Sequence, residues 1–229
     1  MRDRELNLLL SGVVGSVAHG TSKEDSDVDS TGVFMRDSLE LLGLPSLCGR
    51  DTSVRYGQSD TVYHEIGFFL DSVVKGNPTM TEVLFLERYL VKEEAGEALL
   101  NMRSRLLSRS AVITGYVSSS VRQAEALAAG RFSSRAETHA YHVLRVMQQA
   151  EDLLKYGEFC MNIASYADEL KSQAEMVITR PSDFLSHVSK KALHITNMDS
   201  RLAYTPDLRE ISTWLFDLRI RSAKETKGV

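Results

Sequence analysis

Apolar residues along the chain follow two rhythms, and the first of them gives out near residue 92. Residues 6–14 are a short apolar run containing Gly12 and leading into Gly15, and residues 28–34 alternate Val28, Ser30 and Gly32 against Asp29, Thr31 and Val33. A period of two sends successive side chains to opposite faces, so both segments read as strands, joined by a polar turn. Residues 53–63 form a third candidate strand. From 66 to 75 the spacing becomes that of Ile66, Phe69, Leu70 and Val73 or Val74, an amphipathic helical stripe that stops at Gly76-Asn77-Pro78. Thr79, with Glu82 three residues on and Val83-Leu84-Phe85-Leu86 after it, predicts another helix opened by a capping box.

Beyond residue 92 the helical period dominates. Long helices are expected over 94–109, 111–130 and 138–156, the last introduced by Ser134 with Glu137 and ended near Gly157. Further helices are expected over 163–179, 182–189 and 208–222. The chain therefore divides into an α+β part, 1–92, and a helical C-terminal part, 93–229, without an internal repeat.

Composition narrows this picture by exclusion. With 229 residues, 43% hydrophobic and 25% charged, and only 4 prolines, the chain has the make-up of a globular protein that buries a core, which excludes disordered and collagen-like classes. No apolar stretch approaches the roughly 18 residues of a membrane-spanning helix, and no signal-type apolar region follows Met1, so a cytoplasmic protein without a membrane partner is expected. Cys48 and Cys160 are too few for a disulfide framework or a thiolate zinc site and read as buried or half-buried thiols. The net charge of −4 argues against wholesale attraction to nucleic acid. The run Arg103, Arg105, Arg109, Arg122, Arg131, Arg135 and Arg145 still allows a local basic groove, beside the plainer reading of a solvated helix face.

Candidate chemistry concentrates between residues 10 and 33. Gly15-Ser16 follows a strand, where a residue without a side chain lets backbone N–H groups and a hydroxyl approach phosphate oxygens. Asp27 and Asp29 lie two apart on the second expected strand, so their carboxylates share a face and repel unless a cation lies between them. A hard divalent ion such as Mg²⁺ meets that need and bridges to substrate phosphates; two ions roughly 3.5–4 Å apart would serve both attacking and leaving oxygens. The competing reading is an acidic turn, although the segment fails the EF-hand pattern.

Gly15-Ser16, Ala18-His19-Gly20 and Ser26-Asp27-Val28-Asp29-Ser30-Thr31-Gly32-Val33 together resemble the motif pair of the DNA-polymerase-β-type nucleotidyltransferase superfamily, and within it the RNA-repair-pathway (RlaP-like) group of bacteria and phages. Asp60-Thr-Val-Tyr-His-Glu65, Gly76-Asn77-Pro78-Thr79 with Glu82, Tyr141-His142-Val-Leu-Arg145 and Gly157-Glu158 support the narrower match. The resemblance implies a polymerase-β-like core, a mixed sheet with flanking helices, followed by a helical domain. It also implies transfer of a nucleoside monophosphate from a nucleoside triphosphate (NTP) to a hydroxyl. Gly15 and Ser16 would bind the triphosphate, and Asp27 and Asp29 would ligate Mg²⁺. A third carboxylate is expected at Asp60, with Glu65 as the fallback and, for Glu65, a helix-start role as the alternative. His142 and Arg145 would reach the triphosphate from the helical domain, the alternative being an interface histidine and a surface arginine. One departure is Val17, where many members carry Arg.

The function expected is thus a Mg²⁺-dependent nucleotidyltransferase with RNA, including a tRNA 3′ end, as leading acceptor. Small-molecule and protein hydroxyls stay open as acceptors, and so does an oligomer. The alternatives are an NTP-binding regulatory protein, an antitoxin-type protein that transfers AMP to protein, and a purely structural helical protein. Arg135 and His142 also show the R-x6-H spacing of HEPN-type ribonucleases, a spacing common by chance. His19, His139, His187 and His194 show no metal-ligand spacing and read as structural.

Overall fold

The computed structural model describes residues 6–24, 27–37, 41, 52–56, 61–131 and 133–227. Among the described residues five strands form one mixed sheet: β1 (Leu8–Val13), β2 (Ser30–Phe34), β3 (Ser53–Tyr56), β4 (Thr61–Glu65) and β5 (Tyr89–Lys92), in the order β3-β4-β2-β1-β5. Only β2 and β4 pair in parallel, with Thr31 opposite Val62; the other neighbours are antiparallel. The expected strand at 53–63 is two antiparallel strands, and β5 carries only four residues of strand pattern, too few to stand out in the sequence.

Between β1 and β2 comes a single helical turn, α1 (Gly15–Ala18). After β4 the chain enters α2 (Ile66–Val74), whose buried stripe Ile66, Phe69, Leu70 and Val73 is the one the spacing predicts. The next helix, α3 (Pro78–Glu82), is short and passes into a 3-10 turn, Val83–Phe85. Its cap is Asn77, whose Oδ1 accepts from Met80 N, and not the expected Thr79. Proline at the first helical position fixes the helix start one residue after Asn77 and leaves no capping box for Thr79 and Glu82 to form.

The expected helix over 94–109 breaks into α4 (Glu94–Asn101) and α5 (Arg103–Leu106). The next begins as α6 (Arg109–Ala111), widens into a π turn, Val112–Ser118, and resumes as α7 (Ser119–Ala128). Then follow α8 (Ala136–Tyr156), ended by Gly157 at φ 81°, α9 (Ala167–Thr179), α10 (Pro181–Asn197) and α11 (Leu208–Lys227). No helix among the described residues is long and apolar enough to cross a membrane. Cys160 is exposed, a correction to the buried or half-buried thiol expected, and Cys48 lies outside the described residues.

The larger core cluster crosses residue 92: Leu10, Val33, Ile66 and Phe69 share it with Met147, Leu153, Leu154 and Ile195. A second cluster lies within the helices and includes Ala140, Val143, Leu144 and Phe184. Helix α8 joins them, its N-terminal half in the second and its C-terminal half in the first. Fully burying one of its leucines stabilises by about 1.5–3 kcal/mol, so its face towards the sheet is strongly held.

The π turn has a packing cause. Gly76 (φ 77°) lies so close to Ala111 that a Cβ would sit 2.2 Å from the Ala111 carbonyl oxygen, and a Cβ on Gly115 would sit 2.0 Å from that of Gly76. Backbone meets backbone, so no side chain can move aside. Gly76→Ala is expected to lose about 2–4 kcal/mol, from the left-handed conformation and the overlap together, as read by denaturant unfolding.

Candidate active site

Strands β1 and β2 bring the two motifs of the opening segment together. Past the end of β1, Val14 N donates to Asp29 O at 2.9 Å, extending the ladder one step. Gly15 follows at φ 69°, and a Cβ there would stand 3.0 Å from Asp29 Oδ2. The Asp29 carboxylate therefore rests against the only residue type that leaves it room and adopts that φ without strain. Asp29 is half-buried and Asp27 exposed, and both precede β2 instead of belonging to it as the alternation predicts. Burial within the ladder would strip two carboxylates of water without a counter-charge, which the approach to the strand avoids. Among the described residues neither carboxylate has a hydrogen-bond or ion-pair partner, and neither does the Ser16 hydroxyl. Val17, beside Ser16, is 38% exposed.

Asp60 lies outside the described residues. Its neighbour Thr61 begins β4, where Thr61 Oγ1 meets Ser30 Oγ at 2.9 Å and Thr31 Oγ1 donates to Val62 O at 2.8 Å. Glu65, the fallback, ends the same strand and caps α2: its carboxylate accepts from Gly67 N at 2.7 Å and Phe68 N at 3.4 Å. Arg219 of α11 pairs with its other oxygen at 2.7 Å. Glu65 is thus committed to the helix start and to holding α11, at the far end of β4 from Thr61. The described residues contain no group of three His, Cys, Asp or Glu side chains placed to hold a metal ion.

His142, Arg145 and Gln149 share one face of α8, as their spacing predicts. That face carries a buried polar cluster. Arg145, 6% exposed, pairs through Nη1 with the buried carboxylate of Glu82, and the same nitrogen lies 3.1 Å from His19 Nε2. Arg145 Nη2 donates to His142 Nδ1 at 3.0 Å, and Gln149 Nε2 to Glu82 Oε1 at 2.9 Å. Arg145 is therefore not a surface arginine. Burial pushes the Glu82 carboxyl up, but His19, Arg145 and Gln149 outweigh it and hold it at about 2. His19 and Glu82 were not candidates on sequence grounds; the signal for Glu82 was a lone charge inside the apolar run 80–86.

Because Arg145 only donates, His142 Nδ1 accepts, and the ring's proton is on Nε2. Burial, with the Arg145 charge, pushes His142 down to about 4 from an ordinary value near 6.5. A group whose folded value is depressed contributes stability above its unfolded value and loses it as pH falls. The protein should therefore lose stability from about pH 6.5 to about pH 4. His142→Gln should flatten thermal midpoint against pH across that window; an unchanged slope would remove His142 as its cause. Arg135, the other half of the R-x6-H spacing, is exposed, while His142 is engaged by Arg145.

His142 also borders a cavity of about 480 Å³, lined among others by Asn77, Thr79, Gly115, Ser119 and Gln123. A chain of contacts through His142, Arg145, Glu82 and His19 links this cavity to the segment that follows Gly15-Ser16. Loop residue His19 is also tied to the helical part, its carbonyl accepting from Ile163 N at 3.0 Å.

A search of curated proteins finds no match to the chain. The comparison with family models does find one, and it spans the glycine-serine loop, both aspartates, β4, the Glu82–Arg145 pair and the cavity. The chain belongs to RlaP, the RNA repair pathway DNA polymerase beta family, whose model matches residues 1–193.

Proposed function

We propose that the protein is a Mg²⁺-dependent nucleotidyltransferase that moves a nucleoside monophosphate from an NTP to a hydroxyl of RNA. The family supplies the reaction class and the link to RNA repair. The observation that carries the reading is the Asp29 carboxylate seated against Gly15, with Asp27 two residues away and no cation among the described residues paired to either. Two uncompensated oxygen donors of this kind suit a hard divalent ion.

Asp27 and Asp29 would hold Mg²⁺, two ions with Asp60 as the further ligand. Asp60 precedes Thr61 as Asp29 precedes Ser30, and Ser30 and Thr61 are neighbours across the parallel pair, which favours Asp60 over Glu65. Bound Mg²⁺ would offset the charge of the triphosphate and of the departing pyrophosphate. Gly15 leaves space for phosphate beside Asp29, and the Ser16 hydroxyl donates to a phosphate oxygen. His142 borders the cavity and keeps an Nε2–H to donate, and Arg145, neutralised by Glu82, acts as a positioning residue for His19 and His142. In the reaction the acceptor oxygen bonds to the α-phosphorus, the bond from that phosphorus to the β-bridging oxygen breaks, and pyrophosphate leaves while the hydroxyl proton passes to solvent.

The test is transfer of α-phosphate label from each ribonucleoside triphosphate, with Mg²⁺, into RNA, protein and small-molecule fractions. Label in RNA is the expected result; label only in protein would favour the AMP-transferring reading. The exposed Val17 beside Ser16 favours a second reading, nucleotide binding without turnover. Mg²⁺-dependent NTP binding with no pyrophosphate release would establish it.

A further inference from the structure

The arginine run in the middle of the chain separates, once folded, into committed and uncommitted guanidinium groups. Arg105 pairs with Glu210, Arg109 Nη2 donates to Thr196 O, Arg122 Nη2 to Ser119 Oγ, and Arg145 is buried on Glu82. Arg103 has no carboxylate partner among the described residues; it lies over the Phe85 ring, 5.4 Å from its centroid, and is exposed. Arg201, distant in sequence and outside the arginine run, is also exposed and unpaired among them.

Both arginines line one cleft of about 560 Å³, with Asn101, Ser104, Tyr156 and Glu158 among its walls. Tyr156 is 51% exposed, and Lys155 Nζ lies 5.0 Å from its ring centroid. Two arginines, an exposed aromatic ring and short hydrogen-bonding side chains therefore line one cleft with a single carboxylate, on a chain whose net charge is −4. Unpaired guanidinium groups suit phosphate oxygens, and an exposed tyrosine suits a nucleobase face. The volume falls in the range that holds one nucleotide-sized group.

The cleft is connected to the motif loop. From its wall at Gly157 and Glu158 the chain runs through residues 159–162 to Ile163, whose N–H holds the His19 carbonyl. Six residues reach at most about 20 Å, so the cleft lies within a few nucleotides of Gly15-Ser16. Arg103 also neighbours Tyr89, which pairs with Gly12 of β1.

We infer that this cleft binds single-stranded RNA, gripping a phosphodiester between Arg103 and Arg201 and a base against Tyr156, and so holds the acceptor strand upstream of the 3′ end. The inference rests on the RNA-acceptor reading but is tested without catalysis. The measurement is fluorescence anisotropy of a short 5′-labelled single-stranded oligoribonucleotide with the full chain in EDTA and no nucleotide, across a salt series. Arg103→Gln with Arg201→Gln should weaken binding about tenfold or more and lower the log–log salt slope by about 0.7 per arginine. Tyr156→Ala should cost about tenfold with the slope unchanged.

Arg180→Gln, which removes an exposed guanidinium paired with Asp183, is the control and should bind as the unaltered protein does. Arg201→Gln alone guards against misfolding, since that side chain has no hydrogen-bond or ion-pair partner among the described residues, whereas Arg103 packs on Phe85. Equal affinity and slope in the cleft variants, an equal loss in Arg180→Gln, or no binding by the unaltered protein overturns the inference. Weakened binding in the cleft variants with no label transfer to RNA leaves the cleft standing and removes the proposed reaction. Transfer to RNA with unchanged binding in the cleft variants removes the cleft alone.

Discussion

Asp29→Asn is expected to reduce nucleotidyl transfer by two to three orders of magnitude while leaving the protein folded. Charge stabilisation through metal ligation contributes several kcal/mol to such a reaction, and each 1.36 kcal/mol is a factor of ten. The side chain keeps its shape, so Gly15 and the Val14–Asp29 backbone bond are undisturbed. Stability has the opposite sign. Asp29 has no cation partner among the described residues and lies two positions from Asp27, so neutralising it removes repulsion and the thermal midpoint should hold or rise. Asp27→Asn should behave in the same way. Full transfer activity in both variants would remove the pair from the reaction; a fall in activity together with a fall in thermal midpoint would point to a structural role instead.

Glu82→Ala is expected to be the most destabilising single change. It leaves the Arg145 guanidinium, 6% exposed, without its carboxylate, and breaking a buried pair from one side costs about 3–5 kcal/mol. In a chain of this size that corresponds to roughly 10 °C or more in thermal midpoint. Replacing both partners, Glu82→Leu with Arg145→Met, should recover most of the loss, because no uncompensated charge then stays buried. Transfer activity should not recover, since His19 and His142 lose the group that orients them. Recovery of activity in the double variant would show that the cluster serves only the fold. The pH dependence follows from the same pair: Glu82 sits at about 2 when folded and near 4.5 when not, so its contribution is full above pH 4.5 and disappears as pH falls towards 2.

The sequence made the local elements and the opening motif legible. The stripe of Ile66, Phe69, Leu70 and Val73, the stop at Gly76 and the left-handed Gly157 all appear where their spacing and residue type place them, because each depends on neighbours within a turn or two. Gly15-Ser16 and the two aspartates were visible for a similar reason, since a glycine before a hydroxyl and a spaced carboxylate pair keep their meaning within a short segment. What went astray depended on distant contacts. The strand boundary fell at Ser30 instead of before Asp27, the 53–63 strand became two antiparallel strands, and the cap passed from Thr79 to Asn77.

The sequence by itself determined an α+β order of elements, a glycine-serine loop beside paired carboxylates, and a helix face carrying His142, Arg145 and Gln149. Tertiary structure alone decided what those groups face. Glu82 reaches Arg145 across 63 positions and His19 lies beside it across 126, partners that the spacing on the helix does not reveal. It also decided which arginines stay uncommitted, bringing Arg201 beside Arg103 while Arg105 found Glu210. The physical reason is common to both: a charge keeps its local environment only where it is solvated, and once buried or paired its role is set by whichever partner packing brings within a few ångströms.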